Sequence, residues 1–133
     1  MDLIRVATVE SALTDRAAAP KQGDEGAPEA TLAFEVGYVE ALDGITPGDE
    51  LLVLTWLDRA SRDVLRVHPR DDLARPEQGV FTTRSADRPN PIGLHRVRVL
   101  AVDGPRLTVA GLEALDGTPV VDVKPVLGSV GER

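Results

Sequence analysis

A chain of 133 residues, 42% hydrophobic and 28% charged, is long enough to bury a core without staples, and its apolar runs fall short of the roughly 18 residues that a membrane span needs. Zero cysteines exclude disulfides, thiolate nucleophiles and the common zinc sites together, and the two histidines, His68 and His95, do not stand at metal-ligand spacing, so no metal is expected. The net charge of -7 argues against nucleic-acid binding by the surface as a whole. Residues 59 to 98 differ from the rest, holding nine arginines against five acids. That asymmetry reads either as a local anion-binding face or as arginines solvating exposed strands.

The N-terminal stretch MDLIRVATVESALTDR has no basic region followed by an apolar core, so a secretory signal is not expected and the cytoplasm is the default compartment. Residues 3 to 10, LIRVATVE, are rich in branched side chains and predict a strand. Residues 14 to 30 form a polar loop punctuated by Gly and Pro, long enough to be functional. TLAFEV (31 to 36) alternates, with Leu32, Phe34 and Val36 on one face, and GYVEALDGI (37 to 45) predicts a short helix stopped by Gly44. ELLVLTWLD (50 to 58) is a nearly continuous apolar run and reads as a fully buried strand, with Trp56 in the core.

DVLRVHP (63 to 69) is a further strand candidate, followed by the turn-rich RDDLARPEQ and by GVFTTR (79 to 84). HRVRVLAV (95 to 102) alternates strictly, placing His95, Val97, Val99 and Ala101 on one side. VDGPR then turns the chain, and RLTVAGLEAL (106 to 115) returns as the partner strand of a hairpin. Short strands separated by turn signals predict an all-β domain, a small and mainly antiparallel β-barrel or compact sandwich with one or two short helices. No internal repeat divides the chain, so residues 1 to 133 are expected to form a single domain.

No GxSxG elbow, GxGxxG fingerprint or Walker A pattern is present, which removes the usual hydrolase, dinucleotide and P-loop readings. Two other stretches stand out. In TTRSADRPNPIGLH (82 to 95), Pro89 and Pro91 fix their own backbone angles and push Arg88 and Asn90 away from helix, giving a rigid extended loop. Gly93 there would allow close approach of a ligand, and Arg84 and Arg88 could grip a carboxylate or phosphate. In LDGTPVVDVKP (115 to 125), Asp116 and Gly117 form a turn, Thr118 offers a hydroxyl, and Asp122 and Lys124 lie on one side of an extended segment. Both stretches read equally well as stiff loops that close a barrel.

GVFTTRSADRPNPIGLHRVRVL followed by LEALDGTPVVDVKP resembles the signature of the TsaA-like (TrmO) family of S-adenosylmethionine-dependent methyltransferases, whose best-known members methylate N6 of threonylcarbamoyladenosine at position 37 of tRNA. The similarity runs from the first strand through Pro125. It implies a small all-β barrel that works as a homodimer, with its site near the subunit interface. It also implies contacts to S-adenosyl-L-methionine from Pro20, Lys21 and Gln22, which stand where the family has a Pro-Arg/Lys-Gln segment, and from Arg84, Leu94 and the turn Asp116, Gly117 and Thr118. Phe81, Asn90, Ile92 and Gly93 would complete the pocket.

Two departures bear on the substrate. Asp58 and Arg59, counted with the cofactor contacts, replace the His-Gln pair of the tRNA-acting members, and Lys124-Pro125 continues into Val126 in place of tyrosine. Asp122 and Lys124 match the family's later motif and are the catalytic candidates, Asp122 or Asp116, with Asp58 as a third candidate, being able to accept the proton that leaves an amide-like nitrogen. On the substrate side, Arg62 and Arg88 belong to an arginine-rich region suited to a carboxylate-bearing acceptor. Three readings follow: methylation of modified tRNA, methylation of a small molecule, or a non-catalytic module that binds S-adenosylmethionine.

Overall fold

The computed structural model describes residues 1–14, 29–69 and 72–128. Six strands close an antiparallel barrel in the order β1 (Ala7–Glu10), β2 (Ala30–Phe34), β7 (Arg106–Ala110), β6 (Ile92–Asp103), β3 (Glu50–Trp56) and β8 (Pro119–Pro125), which returns to β1. Two very short strands, β4 (Arg66–Val67) and β5 (Gln78–Gly79), pair with each other outside it. No helix among the described residues is long and apolar enough to cross a membrane.

The barrel interior is filled by alternate residues: Val9, Leu32, Val53, Val99, Leu107, Val109 and Val120 are fully buried, and Leu112 joins them from the segment after β7. Branched and γ-branched chains suit a pleated wall with one wet face, and each such burial contributes about 1.5–3 kcal/mol. On the outer face of β1 and β7, Arg106 pairs with Glu10, and that hydrogen bond raises the arginine's already high pKa.

Several strands differ from their sequence reading for identifiable reasons. β3 is not buried on both sides, because a barrel strand has only one inner face: Leu51, Val53 and Thr55 point in, whereas Leu52, Leu54 and Trp56 lie on the outer wall, so Trp56 is not a core residue. The predicted alternation in β6 holds for His95, Val97 and Val99 but fails at Ala101, which is exposed. A bulge between Val99 and Ala101 puts two steps of β6 against one of β7, and the extra residue turns the strand over. The helix is a 3-10 helix over Val36–Leu42, and Val36, its first residue, is exposed instead of sharing the face of Leu32. The strand expected over 63 to 69 contracts to Arg66–Val67, and β7 stops at Ala110, five residues before its predicted end at Leu115.

Because every neighbouring pair in the barrel is antiparallel, strand exits and entries alternate between its two ends. β1, β3 and β7 leave at the same end at which β2, β6 and β8 enter. The segments following Glu10, Trp56 and Ala110 therefore all emerge there. The opposite end carries the 3-10 helix and the tight β6–β7 turn. Both stretches singled out in the sequence thus start from one mouth of the barrel.

Candidate functional site

The segment between β3 and β6 is held rigid by its own arginines. Arg88 donates from Nε to the Ser85 carbonyl at 2.8 Å and from Nη2 to the carbonyls of Val80 and Thr83. Thr83 Oγ1 donates to the Val80 carbonyl at 2.9 Å and accepts the Ser85 N–H at 3.2 Å. A planar guanidinium with five fixed donors suits such a knot of carbonyls, and an ammonium could not replace it. Arg88, read from the sequence as a substrate-gripping residue, spends its Nε and Nη2 donors on shaping this loop.

Asp87 Oδ1 accepts the Ser61 N–H at 2.9 Å, and the Ser61 carbonyl accepts the Arg88 N–H at 3.0 Å, clasping the two sides of the excursion. Arg62 lies over the Trp56 ring, 5.1 Å from its centroid, and donates to the Pro89 carbonyl at 2.8 Å and to Asn90 Oδ1 at 3.0 Å. Asn90 is therefore oriented by Arg62, a partnership between residues 28 apart that the sequence did not announce. Arg84 behaves differently. It is exposed and, among the described residues, makes no hydrogen bond or ion pair. Phe81, on the 3-10 turn Val80–Thr82, is 81% exposed.

The second stretch is tied to the end of β1. Asp116 Oδ1 accepts the Ser11 N–H at 3.0 Å, the Asp116 N–H reaches the Leu13 carbonyl at 2.7 Å and the Gly117 N–H reaches the Val9 carbonyl at 2.7 Å. Gly117 has φ of 86°, a left-handed conformation that a side chain disfavours. Thr118 is buried, and its carbonyl accepts the Val9 N–H. Arg59 Nη1 donates to the Thr14 carbonyl at 3.2 Å, bringing the β3–β6 excursion to the same place, while the neighbouring Asp58 is exposed. Pro20, Lys21 and Gln22 lie outside the described residues.

Ile92, Gly93 and Leu94 are not loop: they open β6, three residues earlier than the alternation indicated. Ile92 pairs with Trp56 and Leu94 with Leu54, leaving Ile92 and Leu94 half-exposed on the outer wall. Gly93 faces inward, where a Cβ would stand 2.3 Å from Thr55 Oγ1 and 2.6 Å from His95 Nε2. Its missing side chain makes room for those two groups.

Asp122 and Lys124 stand on β8 opposite Leu54 and Leu52, part-way along the wall instead of in the end loops. Lys124 Nζ is 3.0 Å from Asp122 Oδ2, and Asp122 Oδ1 accepts the Val123 N–H at 2.9 Å. Among the described residues no group of three or more His, Cys, Asp or Glu side chains could hold a metal ion.

One polar cluster escaped the sequence reading. Thr55 Oγ1 is 2.7 Å from His95 Nε2, and His95 Nδ1 is 2.6 Å from Glu113 Oε1. The available signal was a histidine on the inward, otherwise apolar face of β6, which requires buried partners.

The chain matches the tRNA-methyltransferase O N-terminal domain family over residues 8–131. It is 44% identical over 120 residues to a probable S-adenosyl-L-methionine-binding protein of Methanothermobacter thermautotrophicus, covering 90% of this chain and 85% of that protein. It is also 44% identical over 124 residues to an S-adenosyl-L-methionine-binding protein of Archaeoglobus fulgidus, covering 93% and 88%. A crystal structure of TrmO from Pseudomonas aeruginosa superposes on it with a TM-score of 0.76 and 29% identity, covering 100% of this chain and 60% of the solved one. The chain therefore spans about three fifths of that larger protein. The common barrel, the arginine-knotted loop and the Asp-Gly-Thr turn stand within the matched region, and the chain belongs to the tRNA-methyltransferase O N-terminal domain family of S-adenosylmethionine-dependent methyltransferases.

Proposed function

We propose that this chain methylates N6 of threonylcarbamoyladenosine at position 37 of tRNA, with S-adenosylmethionine as donor. The observation that carries the proposal is the convergence, at one barrel mouth, of a stiffened loop bearing an exposed Phe81 and an Arg84 without a partner among the described residues with a turn laced to the end of β1. These residues fit the donor chemically: a free guanidinium for its carboxylate, apolar side chains for its adenosine and polar backbone for its ribose and base edges. S-adenosylmethionine supplies a methyl group already activated on a sulfonium, so the protein's part is mainly to position the acceptor and exclude water.

Arg84 would hold the donor's carboxylate bidentately, away from the sulfonium, whose positive charge it would repel. Phe81, Ile92 and Leu94 would provide the apolar surface, and Asn90, oriented by Arg62, a polar edge. The turn from Asp116 to Thr118 would face them, with Asp58 and Arg59 at the rim, and Pro20, Lys21 and Gln22 are proposed as further contacts to the donor. Asp122 would take the proton released by the acceptor nitrogen, with Lys124 holding its carboxylate in place. Arg62 would order the carboxylate of the acceptor. The half-exposed apolar face of Trp56, Ile92 and Leu94 supports a homodimer in which a second copy covers the outer wall beside Asp122. A tRNA substrate would place the activity in the cytoplasm.

Calorimetric titration with S-adenosylmethionine is the first test. Tight binding by the native chain, abolished in Arg84→Ala without a change in thermal midpoint, supports the pocket; equal binding by both overturns this role of Arg84. Transfer of labelled methyl to tRNA bearing the threonylcarbamoyl group then tests the acceptor. The net charge of -7 and the Asp58-Arg59 pair favour a second reading, a small-molecule acceptor with the same donor. The two separate on salt: tRNA held through phosphates loses affinity steeply as salt rises, and absence of tRNA binding at low salt excludes the first.

A further inference from the structure

The chain Thr55, His95, Glu113 has no part in the reaction as proposed, yet it is among the most buried polar groups described. Thr55 is 0% and His95 5% exposed, and the Glu113 side chain 16%. An ionised carboxylate only accepts hydrogen bonds, so Nδ1 carries a proton toward Glu113, and in the neutral ring Nε2 accepts from the Thr55 hydroxyl. The order hydroxyl, imidazole, carboxylate is that of a hydrolase relay. Burial rules out that use, because Thr55 Oγ1 is closed off in the barrel interior and cannot meet a substrate.

What the arrangement does is fix a ring at both of its nitrogens, and the elements it joins are informative. His95 follows the Pro91-Ile92-Gly93-Leu94 run, at the end of the first motif stretch. Glu113 lies in the segment between β7 and β8, three residues before Asp116. That segment has no strand pairing of its own, although its turn is hydrogen-bonded to Val9, Ser11 and Leu13. The short contact from His95 to Glu113 thus ties one motif stretch to the other across the barrel mouth.

We propose that His95 is a positioning residue. Through Glu113 it sets the placement of the Asp116–Thr118 turn against the Ile92–Leu94 edge, and so sets the affinity for the methyl donor. The effect on affinity rests on the S-adenosylmethionine reading above; the effect on the turn does not.

The test compares the native 133-residue chain with Glu113→Ala and Glu113→Gln. Thermal midpoint, the Kd for S-adenosylmethionine by calorimetry, and amide hydrogen exchange at Asp116 and Gly117 by NMR are measured for each. Glu113→Ala is expected to remain folded, to bind the donor about tenfold more weakly and to exchange both amides faster. Glu113→Gln, whose amide oxygen still accepts from Nδ1, is expected to restore both properties, a rescue that loss of general stability would not give. Should Glu113→Ala fail to fold, Glu113→Asp, which draws the carboxylate back by one methylene, takes its place. Wild-type affinity and exchange in a folded Ala or Asp variant overturn the proposal, as does a loss that Glu113→Gln does not restore. If the native chain itself binds no S-adenosylmethionine, the functional reading fails, and the exchange rates alone decide whether the tie positions the turn.

Discussion

Gly93→Ala isolates the steric consequence of a single methyl group. Gly93 is a strand residue without positive φ, so alanine meets no backbone strain, and a lower chain entropy in the unfolded state would by itself favour it by about 0.4–1 kcal/mol. The new Cβ, however, stands 2.3 Å from Thr55 Oγ1 and 2.6 Å from His95 Nε2. Ordinary contact requires the neighbours to move by about 1 Å. Overpacking of this kind costs about 1–3 kcal/mol. Moving the hydroxyl or the ring also breaks their 2.7 Å hydrogen bond, and each buried group left unsatisfied adds about 1–3 kcal/mol. The net expectation is a loss of about 3 kcal/mol, which for a chain of this size lowers the thermal midpoint by about 10 °C. Urea unfolding followed by circular dichroism should show a lower midpoint concentration at unchanged slope. Gly79→Ala is the control: its φ of -62° suits any residue, and nothing lies within 4 Å of its added Cβ, so it should be neutral or slightly stabilising. In a Thr55→Ala background Gly93→Ala should cost less, since one of the two clashing atoms is gone. A Gly93→Ala protein within about 0.5 kcal/mol of the native chain would refute the claim that the missing side chain makes room for the buried polar pair.

Arg88→Lys removes the fork that satisfies three carbonyls while keeping the charge; limited proteolysis should cut the 80–90 segment faster, and an unchanged cleavage rate would count against the arginine knot. Arg62→Ala uncovers the face of the chain's single tryptophan, so the emission of Trp56 should shift while stability falls by no more than about 1 kcal/mol, as expected for an exposed cation–π contact. An unchanged spectrum would mean that Arg62 does not cover Trp56 in solution.

Much of the barrel was legible because a period of two is hard to disguise. Val97 and Val99 in β6, and Leu32 in β2, are read directly as inward residues. The failures share a cause, which is that pairing partners are set by distant chain. Ala101 faces out because of a bulge against β7 that local alternation does not encode. β3 looked buried because its outer residues, Leu52, Leu54 and Trp56, are as apolar as its inner ones, and only closure of the barrel separates them. At the mouth, residue types pointed to Arg84 and the Asp-Gly-Thr turn, but not to the division of labour among arginines. Arg88 shapes the loop and Arg62 orients Asn90, whereas Arg84 has no partner among the described residues, and those differences arise from backbone carbonyls whose direction a sequence does not state.

The seam of the barrel has a kinetic consequence. β1 pairs with β8, Ala7 opposite Val120, so the wall closes only when the first and the last described strands meet. The β6–β7 hairpin can form early because its strands are adjacent in sequence, whereas sealing the seam requires the ends of a loop of over a hundred residues to find each other. Folding should therefore be slow relative to a helical chain of equal length. During synthesis, β1 has no partner on its β8 side until Val120 has left the ribosome, which leaves its hydrogen-bonding edge in search of a neighbour for most of the chain's emergence.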